Sequence, residues 1–170
     1  VEDLHKVLHG DSLLDDYEHG HIDTAEYMRL ARERGRIKCT DAEFLKAFVE
    51  IFWPNPEVMN LIPRLKHHYR LVLASNTCDA HYKKFHAMFG ETLGHLHYLG
   101  ASHLLRARKP KHEFYQNAQA FANAEPHECL FLDDRAVNVE AAERFGWKGI
   151  VYKPDGSLPG KLQAAGVEIR

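Results

Sequence analysis

An α/β fold, with a parallel sheet covered by helices on both faces and a helical segment in front of it, is what three features of this sequence predict. Short apolar runs at 71–74, 129–132 and 149–152 have the length and composition of buried parallel strands. Stretches of helical periodicity separate these runs, and alternation of strand with helix is the pattern of βα units. Residues 1–55 show helical periodicity only.

The elements follow in order. The stretch 24–34 carries apolar residues at Ala25, Met28, Leu30 and Ala31; Asp23 and Glu26 resemble a capping box at its start and Gly35 provides a stop. Thr40-x-x-Glu43 is a full capping box, and the helix behind it places Phe44, Leu45, Phe48, Val49 and Phe52 on one broad face until Pro54 and Pro56 break it. A third helix takes Val58, Met59, Leu61, Ile62 and Leu65, with Pro63 positioned to kink it. After Tyr69, the strand Leu71-Val72-Leu73-Ala74 ends at Ser75-Asn76-Thr77. A helix over about 79–89, a strand near 97–99, a loop to Lys109-Pro110 and a helix over about 111–123 come next. The strand 129–132, a helix over 136–145, the strand 149–152, a helix over 157–165 and a last short strand at 167–169 complete the chain. The expected division is a helical region, 1–56, and an α/β region, 57–170.

Composition excludes several functions. With 170 residues, 45% hydrophobic and 27% charged, the chain suits one domain, or one with a small accessory part. The net charge of −2 and the lack of a basic tract argue against nucleic acid or an anionic membrane as partner. No apolar run reaches spanning length. Cys39, Cys78 and Cys129, an odd set without paired spacing, read as reduced thiols of a cytoplasmic protein. Of the 13 histidines, the pairs His19-x-His21 and His95-x-His97 lack a third ligand nearby, so they read as surface residues and not as zinc ligands.

The chemistry concentrates at three strand or loop ends. Leu130-Phe131-Leu132 runs straight into Asp133-Asp134, at the carboxyl end of a buried strand, where open α/β sheets bind ligands. Two acids there require compensation, and a helix cap accounts for only one of them, so Asp133 and Asp134 point to a hard metal, Mg²⁺. Asn138, five residues on, is placed to orient a loop or a lysine, or to face solvent. Ser75 and Asn76 offer a hydroxyl and backbone N–H groups before a helix, the donor set of an anion site, although taken alone they read better as a helix cap. Lys109, among Arg106, Arg108 and Lys111 and just before Pro110, can reach the crevice to neutralise a phosphate or carboxylate, or can simply be solvated.

Taken together, the order strand–Ser75-Asn76, Lys109-Pro110, strand–Asp133-Asp134 with Asn138 resembles the haloacid dehalogenase-like (HAD) hydrolase superfamily. Tyr17-Glu18-His19-Gly20-His21-Ile22 and its flanking helices resemble the small helical cap of that superfamily, so the likeness covers nearly the whole chain. It implies a Rossmann-like sheet and hydrolysis of a small phosphorylated substrate through an aspartyl-phosphate. It further implies that Ser75 and Asn76 bind the phosphoryl group with Lys109, that Lys109 offsets the charge of nucleophile and phosphate, and that Asp133 holds Mg²⁺ with Asp134 assisting. The nucleophile would be the first aspartate of an Asp-x-Asp pair ending the first strand, a central one. Nothing before residue 24 fits that pattern: Val7-Leu8 is too short, and Asp11, Asp15 and Asp16 read as helix ends or a solvated face, with Asp11 or Asp15 only weak substitutes. The expectation is therefore that the first central strand is missing, that the natural protein carries it upstream of Val1, and that the chain without it is inactive. Two other readings remain: a metal-free 2-haloacid dehalogenase, against which the adjacent aspartates argue, and a non-catalytic HAD-like domain for binding or regulation. The sequence leaves substrate and oligomeric state open.

Overall fold

The computed structural model describes residues 12–169. Three helices come first: α1 (Ser12–Glu18), α2 (Thr24–Gly35) and α3 (Asp41–Val49). The Asp23 side chain caps α2 by accepting from the Glu26 N–H, and Thr40 with Glu43 forms the reciprocal capping box of α3. The left-handed residue that ends α2 is Arg36, at φ 50°, not Gly35, which is the last helical residue. Leu13, Tyr17, Tyr27, Ala31 and Phe44 bury the inner faces of these helices, with Tyr17 and Tyr27 stacked at 4.6 Å between ring centroids. Cys78 and Ala80, from the start of a later helix, share the same cluster, so this helical segment packs onto the α/β part.

The expected kinked helix over Val58–Leu65 is two short helices, α4 (Pro56–Met59) and α5 (Ile62–Leu65). Each has a proline in its first turn, where the missing N–H is harmless, so Pro63 starts a helix instead of bending one. Then come β1 (Val72–Ser75), α6 (Asp79–Leu93), β2 (Tyr98–Ala101), α7 (Ser102–Leu105), α8 (His112–Gln119), β3 (Leu130–Asp133), α9 (Ala136–Phe145), β4 (Lys148–Val151) and α10 (Leu158–Ala164). The predicted strand at 167–169 is not one: Val167 and Ile169 pack on Leu61, Leu158 and Leu162 without a strand partner.

β1 pairs with β2 and β3 with β4, both in parallel, as two separate two-stranded ladders. The β3–β4 ladder is covered on both faces. Phe131 and Val151 meet an aromatic core with Phe114, Tyr115 and Trp147, while Leu130 and Ile150, on the opposite face, meet Leu158 and Leu162 of α10. Alternation along a strand requires this division. Gly149 lets α9 lie close to β4, because a Cβ there would stand 2.4 Å from Val139 Cγ1.

The two ladders leave facing edges. His97 N–H donates to the Leu71 carbonyl, so on β1 the groups of Leu71 and Leu73 point to β2, and those of Val72 and Ala74 point away. Lys148 N–H donates to Cys129 O and Tyr152 N–H to Asp133 O, which leaves Leu130 and Leu132 on the free edge of β3. Among the described residues no strand pairs with either free edge.

Candidate active site at the carboxyl ends of β1 and β3

Lys109 joins the two ladders. Its Nζ donates to the Ala74 carbonyl at 2.7 Å, on the free edge of β1, and to Asp133 Oδ2 at 2.6 Å, at the end of β3. The ammonium is buried, with Phe131 and Phe114 ring centroids 5.5 and 5.9 Å away. Asn76 fixes the main chain beneath it: Asn76 Nδ2 donates to Lys109 O at 2.9 Å, and Lys109 N–H donates to Asn76 Oδ1 at 2.8 Å. The side-chain amide of Asn76 is thus engaged with the lysine loop, which the sequence did not foretell. Ser75 ends β1 half-buried, and its hydroxyl makes only a 3.5 Å contact with Asn76 O.

Asp133 is held from three sides. Oδ1 accepts from Arg135 N–H and Asn138 Nδ2, each at 2.9 Å, and Oδ2 takes the lysine. Burial pushes its carboxyl up, but the hydrogen bond and charge of Lys109, with Arg135 N–H and the Asn138 amide, outweigh that and hold it below the usual carboxylate range. Among the described residues the Asn138 side chain meets neither a loop nor the lysine, and it does not face solvent: the residue is buried, its amide donates to Asp133, and its main-chain oxygen accepts from Tyr115 Oη at 2.7 Å. Burial raises the Tyr115 hydroxyl to about 12, with Asp133 adding to the effect, so it donates as a neutral phenol.

Asp134 is exposed and its carboxylate has no hydrogen bond among the described residues. Asp133 has accepted three hydrogen bonds of the roughly four that a carboxylate can take. One partly free and one free carboxylate is the protein share that Mg²⁺ ordinarily uses, the remainder being water and phosphate oxygens. The donor set fits that ion. It does not fit a closed protein cage, since among the described residues no three His, Cys, Asp or Glu side chains converge.

The loop after β1 is braced further. Ser102 Oγ accepts from Thr77 N–H and donates to Thr77 O, both at 2.9 Å, and the His103 ring touches the same carbonyl at 3.2 Å. Nothing in the sequence around Ser102 signals this bridge across 25 residues. The remaining acids lie elsewhere. Asp15 and Asp16 sit on α1, paired with Arg108 and His21, and Asp11 lies outside the described residues. His19 and His21 stack at 5.3 Å with their Nδ1 atoms on Asp15 and Asp16, so both rings are engaged with α1.

The fold has known counterparts. A predicted HAD-like family hydrolase from Porphyromonas gingivalis superposes with TM-score 0.82 at 22% identity, covering 98% of this chain and 85% of that one. A HAD family enzyme from Bacteroides thetaiotaomicron superposes with TM-score 0.77 at 23% identity over 91% of this chain and 79% of its own. The wild-type form of that enzyme solved with magnesium and inorganic phosphate gives 0.76 at 22% identity, over 88% and 79%. Among curated proteins, flavin mononucleotide hydrolase 1, chloroplastic, of Arabidopsis thaliana is 36% identical over 62 residues, 36% of this chain. That match spans only 25% of the plant protein's length. No family model matches the sequence.

This chain has the α/β fold of the haloacid dehalogenase-like hydrolases. The fold that the resemblance implied is therefore the fold observed. Among the described residues no helix is long and apolar enough to cross a membrane.

Proposed function

We propose that this chain is the framework of a Mg²⁺-dependent phosphohydrolase of small phosphorylated metabolites, whose nucleophilic aspartate is carried by a strand seated between β1 and β3. The observation that supports this best is Lys109. A buried ammonium stands on the edge carbonyl of β1 and the terminal carboxylate of β3, where a phosphoryl group and an attacking carboxylate would need a fixed positive charge. In this reading the aspartate attacks phosphorus, the bond to the leaving oxygen breaks, and that oxygen takes a proton from the second acid of the pair. Water then attacks the aspartyl-phosphate, giving inorganic phosphate and restoring the carboxylate. Ser75 and the main chain around Asn76 bind the phosphoryl oxygens, Lys109 offsets the charge, and Asn138 aims Asp133. Asp133 and Asp134 would hold Mg²⁺, which when bound supplies charge neutralisation at the phosphate. Residues 1–56 act as the cap and 57–170 as the core. Three free thiols accord with a cytoplasmic setting. The magnesium and phosphate of the solved bacterial enzyme and the flavin mononucleotide of the plant enzyme's name support the class of reaction and substrate.

A second reading rests on the same lysine. Among the described residues its only carboxylate partner is Asp133, so a HAD-like domain that binds without turnover would also keep this pair. Phosphate release by the full-length protein from flavin mononucleotide, sugar phosphates and nucleotides, with Mg²⁺ and with EDTA, decides between them. Mg²⁺-dependent release that falls by about 10²-fold or more in Asp133→Asn supports the phosphohydrolase. Binding of Mg²⁺ and phosphate without release overturns it in favour of the non-catalytic reading, and metal-independent halide release from 2-haloacids overturns it in favour of a dehalogenase.

A further inference from the structure

Arg108 immediately precedes the site lysine and is aimed at a different neighbour. Its Nη1 donates to Asp15 Oδ1, and its Nη2 lies 2.7 Å from Glu18 Oε2, close enough for an ion pair though not aligned as a hydrogen bond. Both acids belong to α1. The Glu18 side chain is 11% exposed and that of Arg108 26%, so this contact is largely withdrawn from water. Burial pushes the Glu18 carboxyl above its ordinary range even with the Arg108 charge beside it. Arg108 Nε is buried without a hydrogen-bond partner, leaving the terminal nitrogens on α1 as the anchor of this guanidinium.

Two neighbouring contacts reinforce the same seam. Arg106 Nη1 donates to Gly20 O at the end of α1. Gly20, at φ +69°, approaches the backbone so closely that a Cβ there would lie 2.5 Å from His103 O. On its other side the lysine loop is held by the amide of Asn76. The loop is thus gripped by the sheet through Asn76 and by α1 through Arg108. None of the proposed chemical steps uses Arg108.

We infer that Arg108 is a positioning residue, which by anchoring to Asp15 and Glu18 of α1 keeps the Lys109 ammonium on Ala74 and Asp133 and ties its placement to that of the helical segment. A guanidinium suits this work better than an ammonium, because its two terminal nitrogens can each meet a different carboxylate. The catalytic consequence rests on the phosphohydrolase reading; the placement of Lys109 does not.

The test reads Lys109 directly, by mass-spectrometric measurement of reductive methylation in the full-length protein, with the exposed Lys111 and Lys153 as internal references. Lys109 should be protected in the wild type. Arg108→Ala, and separately the pair Asp15→Asn with Glu18→Gln, should each raise its labelling by about tenfold through local opening while Lys111 and Lys153 stay unchanged. Combining all three substitutions should add nothing to Arg108→Ala, as expected of groups acting through one contact. Arg108→Lys should fall between wild type and Arg108→Ala, and with the carboxamide pair it carries the test if Arg108→Ala does not fold. Protection of Lys109 that survives these changes, or labelling of all three lysines that rises together, overturns the inference. Where the wild type releases phosphate, Arg108→Ala should lower kcat by about tenfold with KM within about twofold, and an unchanged kcat also overturns it. A wild type that releases no phosphate counts against the phosphohydrolase alone, because the labelling result stands by itself.

Discussion

A buried lysine on a buried aspartate is destabilising to break and modest to possess. Lys109 and Asp133 have side chains only 9% and 6% exposed, and removing one partner strands the other charge in the interior. Lys109→Met should cost about 3–5 kcal/mol in urea unfolding. Asn76→Ala removes both hydrogen bonds to the Lys109 main chain and should cost about 1–3 kcal/mol. His103 gives a separate prediction in pH. Burial lowers its pKa, Arg106 and Lys83 push the same way, and the Thr77 carbonyl and Asp79 oppose them without reversing the shift. The unfolded chain then binds the proton more readily, so stability is present above the ordinary value of 6.5 and is lost as pH falls below it. His103→Gln should flatten that part of the curve in denaturation series across the window. Ser75, Asp133 and Asp134 were legible in the sequence because they stand at or just past the end of a strand, and Lys109 because it lies in the basic loop before a helix. Their partners were not: Lys109 meets Asp133 across 24 positions and Arg108 meets Asp15 across 93, and within a run of basic residues Arg108 carried no mark of its own.

Among the elements, capping chemistry read most clearly. Thr40 and Glu43 form the anticipated box, and Thr40→Ala should destabilise the protein by about 1 kcal/mol, seen in its thermal midpoint. Close approaches read least clearly. Gly149 looked like an ordinary strand residue, yet Val139 Cγ1 and Glu143 Oε1 stand 2.4 and 2.9 Å from where a Cβ would be. Gly149→Ala should cost about 1–3 kcal/mol as α9 is forced off β4. The error at 167–169 has the same origin. Val167 and Ile169 alternate as strand residues do, but a strand also needs a neighbouring edge, and here burial against α10 satisfies the pattern without one.

At the scale of the whole molecule, the two ladders share an aromatic core through Ala74, Tyr98, Phe131 and Val151, but among the described residues no hydrogen bond joins their strands. If a further strand seats between them, the amides of Val72, Ala74, Leu130 and Leu132 should be protected together in hydrogen exchange of the full-length protein. Rapid exchange of all four in that protein would rule such a strand out. The expectation of a missing strand there came from the family resemblance, because nothing before residue 24 fits the Asp-x-Asp motif that it implies. What it did not convey is that a single ammonium spans the top of the gap.

The arrangement of the two tryptophans carries one more consequence. Trp53 is 76% exposed, whereas Trp147 is 9% exposed and packs against Phe131, two residues before the site aspartate, with ring centroids 5.7 Å apart. Its indole Nε1 donates to Gln119 Oε1 at 2.6 Å. Trp53→Phe therefore leaves a single tryptophan, inside the aromatic core beneath the site. Its emission should be blue-shifted and inaccessible to acrylamide, and should shift to the red only when the packing of β3 on its helices is lost, which gives the protein an optical reporter that needs neither substrate nor label.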